Sequence, residues 1–387
     1  MEIPGRTPTA GVRNQPGCPL STRQLARVLF AAMMMGALAL AVPTTASADP
    51  WKPGAREYAG VGAASTSVLW DVLANGRANI AAGVPQAPDV ASFDPTGSPT
   101  IVTNPGDTPI PRPTTEGAGF AALRDYPEQV DFVRSANRPA NIAGVADDAV
   151  TYLPIGRDAL SVAGFRLAPG LDNFTREELT AIYTCTSAGN VRTSGSGATA
   201  LVVYDDGAYI LQLLRPQLPA AGTDVRAFFL RAIGVTQPGA CVRGNSSTPE
   251  NDARVLSVQG QIIPFLASQW IAQKNNMANR TMTVDVHTLL KINGERPIDN
   301  RYNPDQPPLM PGPLFGRGAY PPGTQRGVFT RDVYAVVRTA DLDSPLTAAL
   351  TTPLATGTGQ LALNRTGYKR VDYLGDPSRF LGAAYPG

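Results

Sequence analysis

Two short loops of small and hydroxyl residues have a composition suited to binding an anion. The first, Glu57–Trp70, reads EYAGVGAASTSVLW, and the second, Leu218–Gly234, reads LPAAGTDVRAFFLRAIG. In each, hydroxyls follow the small residues where a helix should begin: Ser65, Thr66 and Thr223. The free N–H groups and the positive dipole end of a helix N-terminus attract anions. Since any capped helix shows one such loop, it is the pair that predicts a ligand held between two parts of the chain.

The chain offers no assembled set of groups for catalysis or metal binding. His287 is the only histidine, and no Gly-x-Ser-x-Gly elbow supplies a nucleophile for it. Few cysteines and one distant histidine give no cluster of metal ligands. We therefore expect no cofactor and no metal, and we interpret His287 as a structural or surface residue. The sequence favours a binding protein over an enzyme.

The N-terminus has the pattern of an export signal. Arg23 and Arg27 precede the apolar run Val28–Val42, and Ala46-Ser47-Ala48 fits a small-residue cleavage site. The run has 15 residues, which is short for a membrane span, and no later stretch is comparably apolar. We predict cleavage before Asp49, with an uncleaved anchor as the alternative. No cysteine follows the site, so no lipid anchor is expected, and the mature chain should have no membrane span.

Charge and cysteine content agree with an exported chain that does not bind nucleic acid. The first 48 residues hold four Arg and one Glu, so the remainder carries 29 basic and 30 acidic residues. A near-neutral surface lacks the basic face that nucleic acid requires. Cys185 and Cys241 are the two cysteines of the remainder, and an even pair in an exported protein predicts a disulfide. Two buried thiols are the alternative.

The hydrophobic pattern alternates between short strands and helices. Strands are predicted at Glu57–Val61, Thr100–Thr103, Val130–Val133, Val150–Pro154, Leu201–Val203, Ile210–Leu213, Thr281–Val286 and Val333–Arg338. Helices are predicted at Thr66–Asn75, Gly117–Leu123, Thr175–Tyr183, Val225–Ile233 and Gln261–Gln273. Asn303–Gly323 holds seven prolines and is predicted to be an ordered extended loop or a linker. The alternation predicts an α/β fold with mostly parallel sheets, in which ligands bind beyond the carboxyl ends of the strands.

Seven segments together carry a family resemblance. They are GVGAAST (60–66), PRPTTEGAGFAAL (111–123), DFVRSANRP (131–139), YLPIGRDAL (152–160), LTAIYTC (179–185), LPAAGTDVRAFFLRAIG (218–234) and QIIPFLASQWIAQ (261–273). Their order and spacing, over roughly Glu57–Leu342, resemble the type II periplasmic substrate-binding proteins, and among these the phosphate-binding proteins of ABC importers. The resemblance implies a monomeric, two-lobed Venus-flytrap protein in the periplasm or cell envelope, a small anionic or polar solute as ligand and an ABC permease as partner.

The resemblance also implies domain boundaries and ligand contacts. Residues 1–48 would be the signal peptide, 55–154 with 282–387 the first lobe, and 155–281 the second lobe. The chain would cross between lobes near Leu153–Asp158 and return near Thr281–Val286. The implied ligand-binding residues are Ser65, Thr66, Glu116, Arg134, Ser135, Gly222 and Thr223. For Arg134 and Arg157, which end strands, a contact to the ligand or between lobes and an internal ion pair both remain open.

Four positions depart from the pattern of the phosphate binders. Glu116 stands where they have a small hydroxyl residue, and Ala136 stands where they have an Asp that accepts the proton of hydrogen phosphate. Ala221 removes a hydroxyl, and Asp224 adds a negative charge beside the second loop. A carboxylate facing phosphate would repel it, so these residues favour an anion other than orthophosphate. Two roles remain open: a binding protein for an importer, and a secreted protein with a non-transport role in binding or sensing at the cell surface.

Overall fold

The computed structural model describes residues 49–50, 56–75, 87–138, 148–299, 308–316 and 327–379. The predicted signal peptide, and with it the alternative of an uncleaved anchor, falls outside these ranges. Ala48–Gly387 is one compact unit. No helix among the described residues is long and apolar enough to cross a membrane.

The described part of the chain alternates between strands and helices, as predicted. The strands are β1 (Tyr58–Gly62), β2 (Val90–Ser92), β3 (Thr100–Ile101), β4 (Ile110–Pro111), β5 (Phe132–Ser135), β6 (Val150–Phe165), β7 (Asn173–Phe174), β8 (Val191–Ser194), β9 (Leu201–Asp205), β10 (Leu211–Pro216), β11 (Gln261–Leu266), β12 (His287–Leu289), β13 (Lys291–Ile292), β14 (Ile298–Asp299), β15 (Met310–Pro311) and β16 (Thr330–Arg338). The α-helices are α1 (Ser67–Leu73), α2 (Glu116–Asp125), α3 (Arg176–Thr184), α4 (Asp224–Ile233), α5 (Ala267–Lys274), α6 (Pro345–Ala355) and α7 (Gly357–Arg365).

The main sheet is mixed, whereas mostly parallel pairing was expected. Its order is β2-β1-β5-β16-β6-β11-β10-β9-β8, and β12 pairs with β6. The pairs β1–β2, β1–β5 and β10–β11 are parallel. Strand β16 is antiparallel to both β5 and β6 because it enters between them from the C-terminal part of the chain. Strands β9 and β10 are antiparallel because the tight Asp205–Gly207 turn joins them.

The hydrophobic side chains form two groups along this sheet. The first core draws on residues 59–155 and 333–368 and includes Trp70 and Phe132. The second core draws on residues 159–329 and includes Phe228 and Phe229. Strand β6 contributes to both, with Leu153 in the first core and further residues in the second. Two cores on one sheet agree with the two-lobed fold that the resemblance implies.

The change from the second core back to the first lies between Phe329 and Val333. The resemblance placed the return near Thr281–Val286, which is not a strand. Leu290, Phe315 and Phe329 pack in the second core, and Val333 of β16 is the next residue of the first core. Strand β16, running beside β6, is therefore the second connection between the cores.

The segment QIIPFLASQWIAQ is half strand and half helix, where a single helix was predicted. Gln261–Leu266 forms β11, and the helix begins only at Ala267. Pro264 has no amide hydrogen to donate inside a helix, and the β-branched Ile262 and Ile263 favour a strand. The two C-terminal helices were not predicted, because the threonine-rich α6 gives little amphipathic signal.

The predicted disulfide is present between Cys185 and Cys241, with a Cα–Cα distance of 6.0 Å. Cys185 ends α3 in a left-handed conformation, and Cys241 is buried against the second core. Of the proline-rich segment, residues 308–316 are described. There β15 pairs with β14, and the buried Phe315 packs in the second core, so this piece is ordered rather than a free linker.

Candidate functional site

Strands β6 and β16 bring two oppositely charged pairs into the interior. Arg331 lies opposite Asp158, and Asp332 lies opposite Arg157. All four are at most 3% exposed. Successive side chains of a strand point to opposite faces, so the side chains of Arg331 and Asp332 contact different sets of residues.

On one face, Arg157 and Asp332 form an internal ion pair. Arg157 Nε lies 3.1 Å from Asp332 Oδ1, and Arg157 Nη2 donates to the Tyr373 hydroxyl at 2.7 Å. The same hydroxyl donates to Asp332 Oδ2 at 2.5 Å. Of the two interpretations left open for Arg157, the structure shows the internal ion pair.

On the other face, Arg331 binds a carboxylate that belongs to the second core. Its Nη1 donates to Asp224 Oδ1 at 2.7 Å, and its Nη2 donates to Asp224 Oδ2 at 2.5 Å. Asp224 is the first residue of α4. The guanidinium also lies 4.5 Å from the ring centre of Phe228 in the same helix. This two-pronged geometry is the strongest that an arginine makes with a carboxylate.

Two further donors converge on the same carboxylate. Ser65 Oγ donates to Asp224 Oδ2 at 3.3 Å, and Asn137 Nδ2 donates to Asp224 Oδ1 at 2.9 Å. We call Ser65, Asn137 and Arg331 the cradle. Ser65 follows β1 and Asn137 follows β5, so these two cradle residues belong to the side of the first core, while Asp224 comes from the second. Burial alone would raise the pKa of Asp224, but the charge of Arg331 outweighs it and lowers that pKa.

Glu116, at the start of α2, lies beside the cradle. Burial and the negative charge of Asp224 raise its pKa to about 7. The Ser135 hydroxyl lies 2.7 Å from Glu116 Oε1 and 2.5 Å from the carbonyl oxygen of Asn137. One hydroxyl hydrogen cannot satisfy both acceptors well, whereas a protonated Glu116 can itself donate to Ser135. The hydrogen bonds thus agree with a neutral carboxyl.

Two more acids face the same region. Burial raises the pKa of Asp158 to about 6. Burial, followed by the charge of Asp224, raises the pKa of Glu250 to about 6, although Glu250 Oε2 accepts from the Val225 amide at 3.0 Å. The pKa values of both acids also respond to Arg331. The surroundings of Arg331 are therefore rich in carboxyl groups.

The residues predicted from the two loops are only partly brought together. Ser65 reaches Asp224, but the buried Thr66 hydroxyl donates to the Ala63 carbonyl at 3.2 Å. Thr223 is the residue before α4, but its side chain makes no capping hydrogen bond to the helix. Its hydroxyl donates to the Ala220 carbonyl at 2.8 Å instead. Gly222 is exposed and has a φ of +83°, which suits glycine. The second loop thus positions Asp224 rather than presenting its own hydroxyl.

Arg134 lies away from the cradle. It is fully buried and donates to Ser92 Oγ at 2.6 Å and to the Phe93 carbonyl at 2.7 Å. Its weaker contacts are to the carbonyls of Gly60 and Gly62 in the neighbouring strand. These partners all belong to the first-core side, so the structure gives Arg134 an internal role there and not a place among the converging donors.

Sequence reasoning missed Asn137 and Arg331, and treated Asp224 only as a repulsive charge. A signal for Arg331 was present, because the segment TRDVYAVVR places two charged residues at the start of an otherwise apolar strand. Such a strand is buried on both faces, and buried charges need partners. The partner itself could not be read from the sequence, because Asp224 is 107 residues away.

The other residues considered for catalysis or metal binding have structural contacts in the described part of the chain. His287 packs against Phe165 with ring centres 4.9 Å apart, and its Nε2 lies 3.2 Å from the Leu256 carbonyl. Across the described ranges, no group of three or more His, Cys, Asp or Glu is placed to hold a metal ion.

No family model matches the chain, and neither does any curated protein sequence. Solved structures with a similar chain trace include a phosphate-binding protein from Stenotrophomonas maltophilia, with 10% identity, 83% of this chain and 92% of that chain covered, and a TM-score of 0.47. An ABC-type phosphate transport receptor from Vibrio cholerae has 12% identity, 81% and 100% coverage, and a TM-score of 0.44. OxyR from Corynebacterium glutamicum has 11% identity, 88% and 74% coverage, and a TM-score of 0.38. Scores below 0.5 assign neither a ligand nor a role.

Proposed function

We propose that the chain is an exported solute-binding protein that holds a small anion between its two cores and performs no chemistry on it. The observation that carries this proposal is the cradle, in which a buried guanidinium, a hydroxyl and an amide converge on one carboxylate. Convergent donors of this kind, placed on rigid elements, are what an oxyanion or a carboxylate ligand needs.

The charges favour a singly charged anion over the phosphate dianion. Arg331 is the guanidinium of the cradle, and Asp224, Glu116 and Glu250 lie around it. A second negative charge on the ligand would add repulsion from the carboxylates of Asp224 and Glu250, and the cradle contains a single cation to offset it. A small carboxylate therefore fits better than phosphate or sulfate.

We further propose that the two cores are the lobes and that β6 and β16 are the hinge strands. The packing of residues 287–329 favours a second lobe of about residues 157–332, with the first lobe formed by the rest of the described chain. Lobes joined by two strands can close on a ligand by small changes in backbone angles at the connections.

Calorimetry on the secreted protein tests the ligand. We expect saturable binding of at least one of formate, acetate, phosphate and sulfate, and loss of that binding in Arg331→Met. Arg243→Met, which removes an exposed arginine from the second-core side, is the matched control and should bind like the parent. Circular dichroism checks that both variants are folded. If the folded parent binds none of the four anions, the proposed function is wrong.

Export is proposed from the N-terminal pattern and receives support from Asp49. Both oxygens of the Asp49 carboxylate accept from Arg112 at 2.7 Å, and the Arg112 side chain is 2% exposed. The first residue after the proposed cleavage site is thus tied to the folded part. N-terminal sequencing of secreted protein should give Asp49, and a start before Val28 would contradict cleavage.

We propose an ABC permease as partner of the exported protein.

A non-transport role at the cell surface is the second candidate, and the occupied cradle favours it. A receptor that delivers solute is expected to leave its ligand groups available, whereas here Asp224 engages them. Uptake of the bound anion in cells lacking the gene separates the two roles. Reduced uptake supports the importer, and unchanged uptake supports the second role.

A further inference from the structure

The carboxylate of Asp224 makes the contacts that a bound carboxylate ligand would make. Both of its oxygens are engaged by Arg331, and each has one further donor, Ser65 for Oδ2 and Asn137 for Oδ1. Ser65 and Asn137 lie on the first-core side, and Arg331 lies in β16 between Phe329 of the second core and Val333 of the first. The Asp224 side chain is 21% exposed, whereas that of Arg331 is 3% exposed.

The cradle is held in place by contacts that do not involve Asp224. Arg331 Nη1 also lies 3.3 Å from Asn137 Oδ1, so two of the donors contact each other. The Ser65 backbone is fixed as well, because its carbonyl accepts from Gln269 Nε2 at 2.8 Å and from the Tyr368 hydroxyl at 2.5 Å. A donor set that is fixed independently of its acceptor is preorganised for any acceptor of the same shape.

From this geometry we propose that Asp224 is an internal ligand that occupies a carboxylate-binding site, and that a free carboxylate binds the cradle by displacing it. The proposal rests on the proposed function and names its ligand class: a small monocarboxylate. An occupied site binds an external ligand with an apparent Kd raised by the inverse of its unoccupied fraction. Asp224 is thus the residue that sets the affinity of this site.

The same geometry separates small carboxylates from larger anions. The Asp224 carboxylate has donors from Arg331, Ser65 and Asn137 around its two oxygens. Formate and acetate reproduce the two oxygens and their spacing. Tetrahedral phosphate and sulfate bring additional oxygens that have no donor in the cradle.

The test measures formate and acetate binding to the parent, Asp224→Ala and Asp224→Asn. Removal of the competing carboxylate should lower the apparent Kd for formate in Asp224→Ala by about tenfold or more. Asp224→Asn keeps the side-chain volume and should improve binding less, since its amide still fills the space. Glu177→Ala, which removes an exposed first-turn acid from α3, controls for the loss of a charge at a helix start and should leave formate binding unchanged.

A second arm covers the case in which Asp224→Ala does not fold by itself. Formate should then raise its melting temperature or restore its folding in a saturable way, and sodium chloride at equal ionic strength should not. In Asp224→Ala combined with Arg331→Met, the effect of formate should be lost. Formate effects that persist in the double variant, or that match those of chloride, overturn the inference.

The outcomes separate this inference from the proposed function. Formate binding by Asp224→Ala but no anion binding by the parent supports the internal ligand and contradicts the proposed function. Equal formate affinity in the parent and in Asp224→Ala contradicts the internal ligand and leaves the proposed function standing. No anion binding by any variant contradicts both.

Discussion

At the scale of single residues, the site combines one strong ion pair with a carboxyl group whose pKa is raised. Asp224 stays ionised because Arg331 compensates its burial. For Glu116, burial and the charge of Asp224 outweigh the opposing effects of its hydrogen bonds and of Arg331, and its pKa is raised to about 7. Environment alone thus shifts the pKa values of two neighbouring acids in opposite directions.

This difference predicts how stability changes with pH. Glu116 holds its proton in the folded protein up to about pH 7, whereas its ordinary pKa is 4.5. The folded state therefore binds more protons between these values, and the free energy of unfolding falls as the pH rises. The full shift corresponds to roughly 3 kcal/mol at most. In Glu116→Gln the part of this decline that comes from Glu116 should be absent, while the raised pKa values of Asp158 and Glu250 still contribute.

Urea unfolding of the parent and Glu116→Gln at pH 5 and pH 8 measures the effect. The variant should be more stable relative to the parent at the higher pH than at the lower one. Glu177→Gln, at an exposed position in the first turn of α3, should follow the parent at both values. Parallel pH profiles for the parent and Glu116→Gln would contradict the raised pKa.

At the scale of elements, helices were predicted where capping residues mark their starts. Helix α3 begins with a capping box: Thr175 Oγ1 accepts from the Glu178 amide at 3.1 Å, and Glu178 Oε2 accepts from the Thr175 amide at 2.8 Å. Glu178 Oε1 also accepts from the Asn190 amide at 3.1 Å. One pair of residues thus fixes both the start of α3 and the loop that packs beside it.

Replacing Thr175 by Ala should lower the free energy of unfolding by about 1 kcal/mol, because the capping bond is lost and its partner is left without an acceptor. Thr356 is a matched N-cap on α7, where it accepts from the Gly359 amide at 3.0 Å but has no reciprocal glutamate. Thr356→Ala should cost at least as much, because the Thr356 hydroxyl also donates to the Pro353 carbonyl at 2.7 Å. Urea unfolding of both variants measures the two costs, and a Thr175→Ala variant as stable as the parent would contradict the contribution of the cap.

The sequence predicted local structure better than it predicted strand pairing and contacts between distant residues. Caps and periodicity located α1 to α4, and the two cysteines gave the disulfide. The Ser65 loop and Glu116 with Ser135 were placed near the site because local motifs carry them. Arg331 was not, because its role depends on β16 crossing the sheet beside β6 and meeting α4, and no local pattern encodes such a meeting. The mixed sheet was missed for the same reason.

At the scale of the whole molecule, stabilising elements are distributed unequally between the two cores. The disulfide joins Cys185 and Cys241, 56 residues apart, and both belong to the side of the second core. The first core contains no such link among the described residues and is closed only by strand pairing and packing. Reduction of the disulfide should therefore destabilise mainly the second-core side.

Replacing both Cys185 and Cys241 by Ser should lower the free energy of unfolding by about 2–5 kcal/mol, since the unfolded chain regains the freedom of the closed loop. The hydrogen bonds of the cradle to Asp224 do not involve either cysteine, so any Arg331-dependent anion binding of the folded variant should be retained. Denaturant unfolding with and without reductant checks the stability, and calorimetry checks the binding. Loss of anion binding in a folded variant would show that the disulfide and the cradle are coupled.

The position of β16 between β5 and β6 has a consequence for the order in which the molecule forms during synthesis. The second core is drawn from one stretch of chain and is complete once Phe329 has been made. The first core needs β16 to join β5 to β6, and Val336 pairs with Val133 across about 200 residues. Contacts so distant along the chain form late. The first core begins nearer the N-terminus but is therefore completed after the second core. Until β16 is in place, β5 has an open edge with which a second chain can pair.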